Sequence, residues 1–191
     1  MNRTKHRAVF LDRDGTINVE KEYLYRPEDL EFIPGATEAI AQLNQYGFLV
    51  IVVTNQSGVA RGYFSLDDVN RLHQVMQQTL NDEDAHIDAF YLCPHHPDKG
   101  LDAYRFNCDC RKGKPGMILT AAAELNIDLE NSYMIGDKIS DVEAGLAAGC
   151  RCFLVRTGYG EVARSEAMSS NLNISIVANL STAVAMICQD R

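Results

Sequence analysis

Short apolar runs that end in polar clusters recur along the chain. Ala8, Val9, Phe10 and Leu11 stop at Asp12 and predict a buried strand. Ala36, Ala39, Ile40 and Leu43 recur at helical spacing, and Gly47 ends that helix. Residues 48–54 form a second run rich in β-branched side chains, followed by polar residues and Gly58. Ser65 with Asp68 reads as an N-cap pair ahead of Val69, Leu72, Met76 and Leu80, which mark one helix face. Residues 87–92 read as a third strand. Helical patterning returns over 117–125. Residues 132–135 predict a fourth strand, ending at Gly136 and Asp137, and Ser140 with Glu143 predicts the cap of a short Ala-rich helix. Strands at 151–155 and 174–177 and a helix over 181–188 complete the pattern.

Strands alternating with helices imply an α/β fold, a doubly wound parallel sheet covered on both faces. Ligands bind such sheets at the carboxyl ends of the strands. The clusters Asp12-Arg13-Asp14, Thr54-Asn55-Gln56 and Gly136-Asp137 all follow strands. They are therefore expected to meet at one edge. The stretch from Asp14 to Thr54 reads as loop and one helix, which leaves no room for a large cap domain and predicts an open cleft shaped by loops. Residues 93–115 break the pattern. They hold three of the six Cys, two of the five His and three of the five Pro, so irregular structure is expected there.

Composition narrows the classes. A length of 191 residues predicts a single domain over 1–191. Apolar residues at 46% and charged residues at 23% are ordinary globular values and exclude a disordered or fibrous chain. A net charge of −8 argues against a nucleic-acid partner. No apolar run approaches the roughly 20 residues a membrane span needs. The basic N-terminal stretch lacks the apolar core of a signal peptide. The expectation is a cytoplasmic monomer acting on a small molecule, with cysteines serving as thiols or metal ligands rather than disulfides.

A single acid after a strand is usually a turn former or helix cap. Asp12 and Asp14, one residue apart, with a third acid at Asp137 are different, because three converging carboxylates repel and resist desolvation. A divalent cation resolves that conflict, and hard carboxylate oxygens suit Mg²⁺. Thr54, Asn55, Lys112 and Lys138 add the hydroxyl, amide and ammonium donors that phosphoryl transfer uses. Taken singly, each reads as a strand-end hydroxyl or a solvated charge. Cys93-x-His95 and Cys108-x-Cys110 offer four soft or borderline donors in two tight pairs, which can wrap a tetrahedral Zn²⁺. A disulfide, a redox pair or core cysteines are the competing readings, and His96 stands beside His95. Four ligands with no open position make a structural rather than catalytic site, fixing the loop that leads into Arg111 and Lys112. Cys150, Cys152 and Cys188 read as core residues. His6, His73 and His86 show no partner pattern and read as surface or helix-face residues.

The segment Asp12-Arg13-Asp14-Gly15-Thr16 resembles the first motif, DxDGT, of the haloacid dehalogenase superfamily. Val53-Thr54-Asn55 resembles its second motif, Lys112 its third, and Gly136-Asp137-Lys138 with Asp141 its fourth. The resemblance spans residues 8–157. Within the superfamily, FLDRDGTIN, VVTNQSGVARG, CPHHP, CDCRKGKPGM and MIGDKISD are similar to the heptose-bisphosphate phosphatase branch. A histidinol-phosphate phosphatase branch shares most of them, and a catalytically inactive zinc-loop module is the alternative of another class. The resemblance implies a Mg²⁺-dependent phosphatase for a sugar bisphosphate. Asp12 would be the nucleophile and Asp14 the acid–base. Mg²⁺ would sit on the side chains of Asp12 and Asp137 and the backbone carbonyl of Asp14. Thr54 and Lys112 would hold the phosphoryl group with Asn55 in support, and Lys138 would contact substrate. Asp141 would orient Lys112 or Lys138, or start a helix. Substrate recognition would fall to Arg111 and to the loop Glu20, Lys21, Glu22 and Tyr23. The family pattern selects Cys93, His95, Cys108 and Cys110 as the zinc ligands.

Overall fold

A computed structural model describes residues 4–170 and 172–190 of the chain. The reading of the basic N-terminal stretch rests in part on residues 1–3, which lie outside the described residues. Six parallel strands form one sheet: β1 (Ala8–Leu11), β2 (Leu49–Asn55), β3 (Ala89–Cys93), β4 (Tyr133–Gly136), β5 (Arg151–Val155) and β6 (Ser175–Val177). They lie in the order β3-β2-β1-β4-β5-β6. The helices are α1 (Ala36–Gln45), α2 (Leu66–Asn81), α3 (Gly116–Leu125), α4 (Ile139–Ala148), α5 (Gly160–Ser169) and α6 (Leu180–Gln189). Among the described residues, no helix is long and apolar enough to cross a membrane.

The period-two alternation of the strands divides the core. Val9, Leu11, Val50, Val52, Ile135 and Val155 face α1, α2 and α6. Ala8, Phe10, Ile51, Val53, Met134 and Leu154 face α3, α4 and α5. Strands buried on both sides read as continuous apolar runs, which is why the sequence marks them so clearly. The strand order reverses between β1 and β4, and this reversal opens a crevice at their carboxyl ends. Asp12 follows β1 and Asp137 follows β4, so the two acids enter that crevice from adjacent strands.

Two expectations need correction. The helix α5 has no counterpart in the apolar pattern, because only Gly160 and Ala167 of its residues are buried while Val162 and Met168 face outward. Packing against β5 and α4, rather than its own amphipathicity, holds it in place. The cap of α4 is also formed by a different pair. Asp141 Oδ2 accepts the backbone N–H of Lys138 at 2.9 Å, so the capping pair is Lys138 and Asp141 rather than Ser140 and Glu143. The cap at Ser65 and Asp68 of α2 forms as the spacing predicts. Over 93–115, past the end of β3 at Cys93, the only regular element among the described residues is a single 3₁₀ turn, Asp102–Tyr104.

Candidate active site

Three buried acids meet at the crevice. One carboxylate oxygen from each of Asp12, Asp137 and Asp141 lies within 4.8 Å of the others. Asp12 is fixed by its own backbone N–H, which donates to the Ile135 carbonyl at 2.9 Å. Lys112, itself buried, reaches in from the loop before α3. Its ammonium pairs with Asp12 and lies 2.8 Å from Asp141 Oδ1. Burial disfavours the Lys112 charge, but Asp12 and Asp141 outweigh it and hold its pKa above the ordinary lysine value. Asp141 thus does both things read from the sequence: it orients Lys112 and it starts α4.

Asp137 forms no salt bridge among the described residues, and only the more distant charge of Lys138 favours its ionised form. Its Oδ2 accepts the Tyr159 N–H at 2.7 Å, while its buried Oδ1 accepts no hydrogen bond. Burial, then the charge of Asp12, pushes its pKa up to about 8. Burial likewise raises the pKa of Asp12 despite the opposing charge of Lys112. Two glycines let the loops after β1 and β5 close on this carboxylate. A Cβ on Gly15 would fall 2.3 Å from Asp137 Oδ2, and one on Gly158 would fall 2.2 Å from it. Both adopt positive φ, which a side chain would also strain. Hard oxygens, an orphaned buried acceptor and excess negative charge together fit a divalent cation.

Asp14 lies apart from this cluster, and its carboxylate lines the cleft while accepting from three side chains. Arg13 Nε and Nη2 donate to it at 2.9–3.1 Å, Asn18 Nδ2 at 3.0 Å and Gln56 Nε2 at 2.9 Å. Burial would raise its pKa, but the Arg13 charge and these bonds hold it below the ordinary value. Gln56, unassigned in the sequence reading, donates to both Asp14 and Thr54 Oγ1, at 2.9 Å each. Asn55 acts on the backbone: its Oδ1 accepts the Lys112 N–H at 2.9 Å and its Nδ2 donates to the Lys112 carbonyl at 3.4 Å. That reciprocal clamp sets the peptide from which the Lys112 side chain departs.

A cleft of about 480 Å³ opens above these groups, and Glu20, Glu22, Tyr23, Gln56, Arg111 and Lys138 line part of it. Lys138 sits 3.2 Å from Glu20 and over the Tyr159 ring at 4.6 Å. Burial opposes its charge, yet Asp12, Asp137 and Glu20 raise its pKa above the ordinary lysine value. Lys21 is the exception in the expected substrate loop. Its ammonium turns away to the Asp29 carbonyl at 2.9 Å and the Glu31 carboxylate at 3.0 Å. Glu22 takes a left-handed backbone conformation (φ 59°) and the Tyr23 N–H donates to the Lys21 carbonyl at 2.8 Å, a tight turn that leaves Glu20, Glu22 and Tyr23 on the cleft and Lys21 outside it.

At the end of β3, Cys93, His95, Cys108 and Cys110 place one donor atom each within 4.8 Å of one another. The edges Cys93–Cys108 (3.5 Å), Cys93–His95 Nδ1 (3.7 Å), His95 Nδ1–Cys110 (3.2 Å) and Cys108–Cys110 (3.2 Å) approach the roughly 3.5–3.8 Å edges of a tetrahedral zinc site. No disulfide forms among the described cysteines. His96 is engaged elsewhere, its Nδ1 accepting the N–H groups of Asp98 and Lys99 at 3.1 Å. Arg111 Nη1 donates to the His95 carbonyl at 3.0 Å, which ties the cluster to the cleft. Cys150, Cys152 and Cys188 are buried, as read from the sequence. His73 corrects that reading. It faces inward from α2, stacks on Phe90 with ring centroids 4.4 Å apart and meets Arg13. Its imidazole is needed inside because a fully buried guanidinium has more N–H groups than Asp14 can accept.

The chain is similar to known proteins in sequence and in fold. A family model described as HAD-hydrolase-like matches residues 109–183. The chain is 44% identical over 179 residues, 93% of its own length and 94% of the relative, to a D-glycero-beta-D-manno-heptose-1,7-bisphosphate 7-phosphatase of Photorhabdus laumondii. It is 48% identical over 164 residues, 85% of its length and 88% of the relative, to a protein of that name from Vibrio cholerae. The crystal structure of the D,D-heptose 1,7-bisphosphate phosphatase from B. bronchiseptica, complexed with magnesium and phosphate, superposes with a TM-score of 0.86 at 32% identity, covering 97% of this chain and 99% of that one.

Proposed function

This chain belongs to the D-glycero-beta-D-manno-heptose-1,7-bisphosphate 7-phosphatases of the haloacid dehalogenase superfamily, and from that premise we propose that it removes the 7-phosphate of that bisphosphate through an aspartyl-phosphate. Such a step serves the supply of activated heptose for lipopolysaccharide. The observation that carries the reading is the buried Asp12, held by Lys112 beside the under-neutralised Asp137 at the switch point of the sheet.

In this reading an Asp12 carboxylate oxygen attacks phosphorus and the bond from phosphorus to the sugar oxygen breaks. The departing oxygen takes its proton from Asp14. A water then attacks the acyl-phosphate phosphorus, gives its proton to Asp14 and releases phosphate with Asp12 restored. The anionic resting form of Asp14 suits the second step. For the first, the charge of the arriving phosphate raises its affinity for a proton. Thr54 and Lys112 hold the equatorial oxygens, and Asn55 fixes the Lys112 peptide. Lys138, Glu20, Glu22, Tyr23 and Arg111 face the sugar and its remaining phosphate.

Asp12, Asp137 and the backbone carbonyl of Asp14 would hold Mg²⁺, with Asp141 alongside. When bound it neutralises the approach of a carboxylate to a phosphate. Cys93, His95, Cys108 and Cys110 would hold Zn²⁺, whose part is to order the loop carrying Arg111. The same reading has the chain working as a single-domain monomer in the cytoplasm.

The test is phosphate release with Mg²⁺ over a panel of sugar bisphosphates and histidinol phosphate. The heptose bisphosphate should lose one phosphate, with kcat/KM at least about 100-fold above histidinol phosphate, as expected where buried polar groups are built for one substrate. Preference for histidinol phosphate would overturn the assignment, and absence of any turnover would favour an inactive scaffold.

A further inference from the structure

Arg13 is wholly buried and is the largest such side chain of the core. Its position between two acids at the end of β1 would suit a residue aimed at phosphate, yet it points the other way. Nε and Nη2 form a fork on the Asp14 carboxylate at 2.9–3.1 Å. Nη2 also donates to the Leu24 carbonyl at 3.0 Å, and Leu24 directly follows Tyr23 of the substrate loop. Nη1 lies 3.3 Å from His73 Nε2. Burial, then the charge of Arg13, pushes the His73 pKa down to about 3, so its ring is neutral and free to accept. The Phe90 ring stacked on it fixes the ring plane.

A planar guanidinium with a fork on one carboxylate, a carbonyl on one side and an imidazole behind has little freedom to rotate. We propose that Arg13 is a positioning residue for Asp14, held in place by His73, and that its bond to Leu24 ties the direction of the Asp14 carboxylate to the substrate loop. The proposal rests on the reading of Asp14 as the acid–base group. Lysine cannot replace this arrangement, because an ammonium makes no planar fork. Asp14 would keep a charge partner in Arg13→Lys but lose its direction.

The experiment follows p-nitrophenyl phosphate in stopped flow and the sugar bisphosphate at steady state, using the full chain with Mg²⁺. An aryl leaving group needs little protonation, so the first burst of p-nitrophenolate reports attack by Asp12 alone, while later turnover needs Asp14 as base. Arg13→Lys should keep the burst rate within about threefold of wild type and lower steady-state kcat by about 100-fold, the scale of general acid–base catalysis. His73→Phe retains the ring but not the acceptor. It should show the same signature at about tenfold, and His73→Gln, which restores an acceptor, should recover most of it. A merely structural role would lower burst and turnover together. That parallel loss, or wild-type turnover in Arg13→Lys, overturns the proposal, and if Arg13→Lys does not fold the His73 pair decides by the same criteria. Asp14→Asn run alongside separates the two levels. If it shows burst without turnover while the Arg13 and His73 variants behave as wild type, only the positioning role fails. If Asp14→Asn turns over normally, the reading of Asp14 fails with it.

Discussion

Lys112→Met tests the electrostatic design of the site most directly. The methionine fills much the same volume but removes the charge that pairs with Asp12 and Asp141. Lys112 is only 6% exposed, so water cannot take over its part. Removing one partner of a buried pair costs about 3–5 kcal/mol. A domain of this size loses about 2–4 °C of melting temperature per kcal/mol, which predicts a fall of roughly 6–20 °C in EDTA. Proton uptake by Asp12, whose pKa burial already raises, moderates the loss toward the lower end. Millimolar Mg²⁺ should recover part of it by supplying positive charge to the same three carboxylates. Turnover should still fall by about 100–1000-fold, the loss seen when one donor to a developing oxyanion is deleted. Thermal melts with EDTA and with Mg²⁺, paired with phosphate-release assays, measure both effects. A melting temperature within about 2 °C of wild type in EDTA, less than 1 kcal/mol for this size, would show that Lys112 is not the group that neutralises the cluster.

The other variants divide the labour of the site. Asp12→Asn should keep the fold and lose turnover by several orders of magnitude, with no acid-stable phosphoenzyme after quenching. Asn55→Ala, by leaving the Lys112 peptide unclamped, should cost about 1–3 kcal/mol in kcat/KM while the melting temperature changes little. Cys108→Ser should lower the zinc content by elemental analysis from about one per chain, reduce thermal stability and raise KM through Arg111 more than it lowers kcat.

The parts of this architecture that were legible in the sequence are those written in short-range patterns. Strands buried on both faces leave unbroken apolar runs, so β1 and β5 were readable to the residue. The convergence of Asp12, Thr54 and Asp137 followed from a topological rule that needs only strand order. What was missed has no local signature. The helix α5 carries too few buried residues to show a period. The role of His73 depends on its contact with Arg13, 60 positions away in sequence, and that of Gln56 on the bond it donates to Asp14, 42 positions away. A lone histidine on a helix face looks the same in sequence whether it meets solvent or a buried guanidinium. Lys21 looked equivalent to its neighbours because sequence does not reveal which side of a loop faces the cleft.

Asp137 makes the cation requirement a matter of protons. Burial and the charge of Asp12 push its pKa to about 8, against about 4 for an unfolded aspartate. Between those values the folded, metal-free chain holds a proton that the unfolded chain has released. Stability of the metal-free protein therefore falls as pH rises through that window. A cation binds the ionised carboxylate, so its binding must expel that proton. Apparent Mg²⁺ affinity should accordingly strengthen by up to tenfold per pH unit below about 8 and level off above it. Calorimetric titration at several pH values, each in two buffers of different ionisation enthalpy, reads the affinity and the proton count independently. About one proton per Mg²⁺ is expected at pH 7, falling toward zero at pH 9. Asp137→Asn should flatten the pH profile as well as weaken binding, because the titrating group is gone. A magnesium affinity that is constant across this range in the wild-type protein, with no proton released, would mean that Asp137 is already ionised without the cation. The unpaired Oδ1 would then need another source of positive charge.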